Sequence, residues 1–232
     1  MIARLKELFF PVIHCIDPNT QQGIGHALRN TEIAKENGAD GVFLIGHGMH
    51  FCDLHEIYEH VRRHFPTFWI GINFLDLSNE KKWDRLVEMA DQCSALDGLW
   101  IDGMPDQKLL VPSSVKVFGG VGFKYINPHI DGDALESACR AAVQIVDVVT
   151  TSGNKTGSAP DIDKLISIKR CLGDKNPLAL ASGVDANNVS AFLEYVDIFL
   201  VASSICERIS SLGNHEYLIP QKVRELADLI HG

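Results

Sequence analysis

Asp147-Val-Val-Thr-Thr-Ser152 leads into the loop Gly153-Asn-Lys-Thr-Gly-Ser-Ala-Pro160 and a helical segment from Asp161 to about Leu172. Pro177-Leu-Ala-Leu-Ala-Ser182 follows and ends at Gly183; a second segment, about Ala186 to Tyr195, leads to Asp197-Ile-Phe-Leu-Val-Ala202 and Ser203-Ser204. Short apolar runs alternate with helix-length stretches. That rhythm belongs to parallel strands joined by helical crossovers. Each run ends in Gly or a small polar residue, where a loop must come close to a ligand. The stretch therefore predicts the last part of a (β/α)8 TIM barrel.

The rest of the chain extends the pattern in both directions. Ala3–Phe10 reads as an amphipathic lead-in that covers the bottom of the barrel. Strands are expected at Pro11–Asp17, Gly41–Gly46, Phe68–Asn73, Leu99–Asp102 and Lys116–Phe123. Helices are expected over about Gln21–Asn37, up to Phe65 with Asp53 as N-cap, from Ser78 to about Cys93, over Gly132–Gln144 and over Pro220–Ile230. Residues 106–115 contain Pro112 and two serines and show no helix signal. The 232 residues suit one such barrel, and one domain spanning the chain is expected.

Composition narrows the function classes. Hydrophobic residues make up 46% and charged residues 22%, which is ordinary for a folded globular chain. A formal net charge of -9 argues against nucleic acid as partner. No apolar run reaches the ~20 residues needed to span a bilayer, and no signal peptide is read at the start. The six cysteines are scattered without a CxxC pair and read as reduced thiols, so a cytoplasmic location is expected. No cofactor-binding motif is read. A homo-oligomer remains open, since outer barrel helices are common dimer surfaces.

In this fold, chemistry sits at the C-terminal ends of the strands. Ser182-Gly183 and Ser203-Ser204 end strands 7 and 8, where many barrels hold phosphate on backbone N–H groups. Ile205–Ser210 is the expected short helix of that anion site. The alternative is small residues in tight turns. The loop carrying Lys155, Thr156 and Gly157 is a lid candidate with glycine hinges, or else a plain surface loop. Its order of Gly, Lys and Thr is not that of a Walker A loop. Lys124 ends strand 5 after three glycines and is placed to act as electrophile, nucleophile or carboxylate partner. Asp102 at the mouth of strand 4 is the first choice as general base, with Asn73 beside it and His47 as a further catalytic candidate. Asp17 and Asp76 also stand at or just after strand ends and could pair with Asp102 as acid and base; the alternative is that they cap turns or helices, which is the simpler reading for Asp76. A metal held by His14, His47 and His50 with Asp17, and more remotely His129, is a weaker reading, because the spacing is not diagnostic; no metal is assigned.

Ile13-His14, Ile70-Gly-Ile-Asn-Phe-Leu75, Phe118-Gly-Gly-Val-Gly-Phe-Lys124, Thr156-Gly157-x-x-Pro160 and Ser182-Gly183-Val184-x-x-Asn187-Asn188-Val189 fall in the order seen in the BtpA family. The chain resembles that family over most of its length, with few motifs before residue 110. The resemblance implies a TIM barrel like those that bind ribulose phosphates. It also implies an association with photosystem I biogenesis or with carbohydrate operons, and it attaches no reaction. Asn73, Lys124, Thr156, Gly157, Ser182 and Gly183 are the positions that carry over. Three features depart from the pattern. Cys15-Ile-Asp-Pro-Asn-Thr replaces the family's Pro- and Gly-rich segment, Gly46-His-Gly replaces a polar residue after strand 2, and strand 8 lacks the Gly-Thr-Ser ending. The expected function is an enzyme acting on a small phosphorylated metabolite, a sugar phosphate or nucleotide fragment, by isomerase- or lyase-type proton transfer next to a carbonyl. The rivals are a non-catalytic assembly or regulatory protein and a metal-dependent hydrolase.

Overall fold

A computed structural model describes residues 5–155, 157–212 and 215–232. Eight parallel strands close a barrel in the order β1 to β8: β1 Leu8–Cys15, β2 Gly41–Gly46, β3 Trp69–Asn73, β4 Gly98–Ile101, β5 Lys116–Gly120, β6 Val148–Thr151, β7 Leu178–Ala181 and β8 Ile198–Val201. Around them run α1 Gly23–Glu36, α2 Phe51–His64, α3 Leu75–Asn79, α4 Trp83–Gln92, α5 Gly132–Ile145, α6 Ile162–Leu172 and α7 Pro220–His231. An antiparallel hairpin, β9 Cys206–Ile209 and β10 His215–Leu218, stands between β8 and α7. The chain is a (β/α)8 TIM barrel, as the alternation of runs predicts.

Alternation along each strand decides what faces inward. Phe10, Phe43, Trp69, Trp100 and Phe118 share the inner cluster, while Phe9, Val42, Leu44, Ile70 and Leu99 pack outward under the helices. The inner rings fill the lower barrel. Phe10 stacks on Trp69 at 4.4 Å, and Phe43 meets Trp69 and Phe118 edge-on at 5.1 Å. Gly71 and Gly98 make room for this plug: a Cβ would lie 2.3 Å from the Phe43 ring at the first and 2.4 Å from the Trp69 ring at the second. The same parity, carried upward, turns His14, His47, Asn73, Asp102 and Ser152 toward the mouth.

The bottom rim is tied by a repeated device. Asp40, Asp97, Asp147 and Asp197 each precede an even-numbered strand. Their carboxylates accept the backbone N–H of Phe9, Ile70, Val117 and Leu178, at the base of the preceding odd-numbered strand (2.8–2.9 Å). Arg62 and Lys169 neutralise Asp97 and Asp197. Strands are thereby clamped in pairs from below, leaving the loops at the top free to vary.

Several expected boundaries shift. Leu8–Phe10 belong to β1 and pair with β8, so they do not cover the barrel floor. The Ser78–Cys93 helix is two helices, separated at Lys81, whose φ of 54° breaks the helical path. His50, not Asp53, caps α2 by accepting the Cys52 N–H. β5 stops at Gly120, where Val121 donates to Thr150 O and Gly122 turns at φ 60°. Ala186–Tyr195 holds only a 3-10 turn at Val189–Ala191: the Asp185 carboxylate takes the N–H groups of Asn187 and Asn188, competing with a helix start. Ile205–Ser210 is not a helix either. A 3-10 turn at Ser203–Ile205 runs straight into β9, whose partner strand β10 wins the backbone bonds.

Candidate active site at the barrel mouth

A cavity of about 580 Å³ opens at the C-terminal mouth. Its wall includes His14, His47, Asp102, Lys124, Ser182, Gly183, Ser203, Ser204 and Gly157. Of the residues expected to carry chemistry or hold an anion, the fold thus brings together those from β1, β2, β4, β5, β7 and β8.

One wall is built on β3 to β6. Asp102 leaves β4 on the inner face, and the buried Asn73 amide donates to its Oδ1 at 3.1 Å. Burial raises the Asp102 carboxyl above its ordinary value, while the Lys124 ammonium and the Asn73 bond pull the other way. Lys124 is fixed at its backbone, whose N–H donates to Ser152 Oγ at 2.7 Å. Its Nζ lies over the Phe123 ring and reaches Ser182 Oγ at 3.4 Å. Behind it stands Lys164 on α6, which no strand-end pattern points to. Its Nζ donates to the carbonyls of Gly122 (2.5 Å), Ser152 (2.8 Å) and Pro128 (3.2 Å). Burial lowers its pKa, and the three carbonyls tie the β5 and β6 loops together.

The opposite wall is built on β1, β2 and the hairpin. His14 Nδ1 donates to Glu216 Oε2 at 2.7 Å. This bond, first among its causes, holds the Glu216 carboxyl down to about 2. The His47 ring stands edge-on to His14 at 5.1 Å. Burial lowers the His47 pKa, and the charges of His14 and Lys124 lower it further. Glu216 escapes sequence reasoning because it reaches His14 from 202 residues away. The one local signal is the alternation of Cys206–Ile209 and His215–Leu218.

The third side is backbone. Ser182 has φ 114°, a region that non-glycine residues avoid at a cost of roughly 1–3 kcal/mol. Gly183 follows at φ 71°, and a Cβ there would lie 1.9 Å from Ala159 N. The backbone of Ser158 and Ala159 is therefore seated directly on Gly183. Among the described residues, the N–H groups of Gly183 and Val184 donate to no protein acceptor. Ser203 and Ser204 open the 3-10 turn after β8, and Ser204 Oγ is spent on Val184 O at 2.6 Å. Of the expected lid, Gly157 lines the cavity, Lys155 is exposed and off its wall, and Thr156 lies outside the described residues.

Other candidates fall away. Asp17 is exposed and closes its own turn through Asn19. Asp76 sits in the first turn of α3, and His129 is exposed away from the cavity. Among the described residues, no three His, Cys, Asp or Glu side chains converge as metal ligands. All six cysteines are free, and burial pushes the thiols of Cys15, Cys93, Cys139 and Cys206 up to about 12. Among the described residues, no helix is long and apolar enough to cross a membrane.

Fold and cavity together define a TIM barrel with a titratable, backbone-lined mouth. The chain belongs to the BtpA family, whose pattern matches residues 91–232. An uncharacterised protein of Methanocaldococcus jannaschii is 34% identical over 100 residues, 42% of this chain and 36% of that protein. A second uncharacterised protein, from Pyrococcus horikoshii, is 30% identical over 99 residues with the same shares. The match thus spans about a third of the length of these relatives. Among solved structures, Mycobacterium tuberculosis tryptophan synthase superposes with a TM-score of 0.64 at 12% identity, over 97% of this chain and 93% of that one. Thiamine phosphate pyrophosphorylase from Pyrococcus furiosus gives 0.62 at 15%, over 98% and 97%. The 3-hexulose-6-phosphate synthase of Salmonella typhimurium gives 0.62 at 14%, over 97% and 98%. At such identities the likeness is one of fold.

Proposed function

We propose that the barrel mouth is the active site of an enzyme that moves a proton next to the carbonyl of a small phosphorylated metabolite, as an isomerase or lyase does. The observation that carries this reading is the Asn73–Asp102–Lys124 group. It sets a carboxylate of raised pKa and an ammonium on the same cavity as Gly183 and Val184, whose backbone N–H groups donate to no acceptor among the described residues. Asp102 takes the proton from carbon. Its raised pKa brings it nearer to that of the acid it must deprotonate. Lys124 stabilises the negative charge that develops on the carbonyl oxygen. The N–H groups of Gly183 and Val184, with Ser203 and Ser204, hold the phosphate, and Gly157 covers one edge. The names of two fold relatives, thiamine phosphate pyrophosphorylase and 3-hexulose-6-phosphate synthase, include a phosphate group, which accords with an anion at this end.

Perturbed titratable groups converging on one cavity favour an enzyme over an inert scaffold. The test begins with thermal shifts in a panel of ketose and aldose phosphates. A ligand at 100 times its Kd adds ~2.7 kcal/mol. Bound compounds are then incubated in deuterium oxide and followed by NMR for exchange of the C–H next to the carbonyl. Asp102→Asn and Lys124→Met are expected to slow exchange by about 10²–10⁴-fold. Exchange that survives both substitutions, or no phosphorylated compound that binds, would sink the reading.

A further inference from the structure

We propose that His14, oriented by Glu216, is a second proton-transfer residue facing Asp102 across the cavity, so that the enzyme inverts a stereocentre next to a carbonyl. The inference rests on the reading of the mouth given above and narrows it to one reaction class.

The geometry has three parts. First, His14 lies on β1 and Asp102 directly follows β4. In a closed ring of eight strands these positions are three steps apart one way and five the other, so the two side chains enter the cavity from facing walls. Groups on facing walls address opposite faces of a planar intermediate held between them. Second, the His14 tautomer is set. Nδ1 donates to the Glu216 carboxylate, which leaves Nε2 as the ring nitrogen for the cavity. Third, Glu216 is itself held. Its other oxygen pairs with Arg208 across the hairpin at 3.3 Å, and its carbonyl accepts from His26 Nε2 at 2.6 Å. Asn30 on α1 accepts the Leu218 N–H at 2.7 Å. The hairpin inserted after β8 thus delivers one carboxylate to the back of His14. Glu216 is absent from the cavity wall, so it is a positioning residue acting through His14.

The step balances without an oxidant. The Asp102 carboxylate takes the proton from one face of the carbon, and the C–H electron pair becomes the C=C bond of an enediolate. The former carbonyl oxygen carries the charge beside Lys124. The imidazolium of His14, paired with Glu216, gives its Nε2 proton to the opposite face of the same carbon while the carbonyl re-forms. Asp102 ends protonated and His14 neutral, and solvent restores both. The substrate class is a ketose phosphate with a stereocentre beside its carbonyl.

D-ribulose 5-phosphate and D-fructose 6-phosphate are suitable probes, each incubated with the full chain in deuterium oxide. The wild type is expected to form the epimer, deuterated at the inverted carbon. His14→Asn is expected to lose inversion by about 10²–10⁴-fold while Asp102 still washes deuterium into the starting probe with retention. His14→Gln gives the same reading if the Asn variant folds poorly. Glu216→Gln keeps an acceptor but loses the charge; it is expected to lower kcat for inversion at least ten-fold with KM unchanged, a split that general loss of structure would not produce. Inversion at the wild-type rate in either His14 variant overturns the proposal. So does wild-type exchange without any inversion, although proton abstraction by Asp102 then stands. Absence of both exchange and inversion with every probe overturns the broader reading as well.

Discussion

The two walls of the mouth are built in different ways. The wall around Asp102 and Lys124 is assembled from neighbouring strand ends. Asn73, Asp102, Lys124 and Ser152 come from four adjacent strands or the turns that follow them, and α6 braces them through Lys164. The wall around His14 and His47 borrows its carboxylate from a hairpin outside the barrel, pinned to α1 by His26 and Asn30. Burial governs the first wall and raises its carboxyl. A charge-assisted hydrogen bond governs the second and lowers its carboxyl. The carboxylate on the cavity and the one behind His14 are thus pushed in opposite directions by their surroundings.

The largest effect should come from breaking the brace of the first wall. Lys164→Met leaves the carbonyls of Gly122, Ser152 and Pro128 without their half-buried donor. We expect a loss of roughly 2–4 kcal/mol in urea unfolding, since bonds to a charged donor are worth more than neutral ones and the orphaned acceptors stay buried. The exchange proposed at the mouth should slow as well, because Ser152 holds the Lys124 backbone. A loss below about 1 kcal/mol would mean that water can replace the ammonium there, at a level typical of one neutral hydrogen bond.

The second wall gives a smaller effect with a distinct pH signature. The Glu216 carboxyl is held at about 2 against an ordinary 4.5. A depressed carboxyl contributes stability that is present above its unfolded value and is lost as pH falls through the folded value. Glu216→Gln should therefore cost about 1–2 kcal/mol at neutral pH, discounted for the partly exposed side chain. The gap between variant and wild type should close between pH 4.5 and about 2. In His14→Asn, carboxyl NMR should show Glu216 titrating nearer its ordinary value. A pH-independent gap would assign Glu216 to hairpin packing alone.

This contrast also explains what the sequence could reveal. The β1 to β8 runs were legible because each is short, apolar and bounded by Gly or polar residues. Asp102, Asn73 and Lys124 were legible because strand-end position alone marks them in a barrel. Glu216 and Lys164 were not, because each acts on a residue far along the chain and carries no local pattern. The helices expected at Ala186–Tyr195 and Ile205–Ser210 failed for a related reason. Asp185 and Asn188 bond their own loop, and β9 finds its partner only once β10 folds back. The carboxylates at the strand bases are equally silent in the sequence, although Asp40, Asp97, Asp147 and Asp197 precede every second strand. Their role depends on the neighbouring strand's N–H, which sequence spacing does not display.

The smallest expected effect is a gain. Burial raises the Asp102 carboxyl above its ordinary 3.8. A raised carboxyl favours the folded state fully below the unfolded value, and that contribution is lost as pH rises through the folded one. At neutral pH the ionised Asp102 is therefore a burden on folding that Lys124 and Asn73 only partly offset. Asp102→Asn removes the charge and keeps an oxygen for the Asn73 amide. It should raise stability by about 1 kcal/mol at neutral pH, as often happens when an active-site group is replaced. The advantage should disappear below pH 3.8, where the wild-type group is neutral too. Glu216→Gln runs the other way, destabilising at neutral pH and converging with the wild type in acid. Thermal melts of the two variants across one pH series thus separate a carboxylate whose charge burdens the fold, as the proposed role of Asp102 requires, from one that the fold itself prefers ionised. If Asp102→Asn destabilised at neutral pH, the Lys124 pairing would outweigh burial, and Asp102 would lose its standing as a base held above its ordinary pKa.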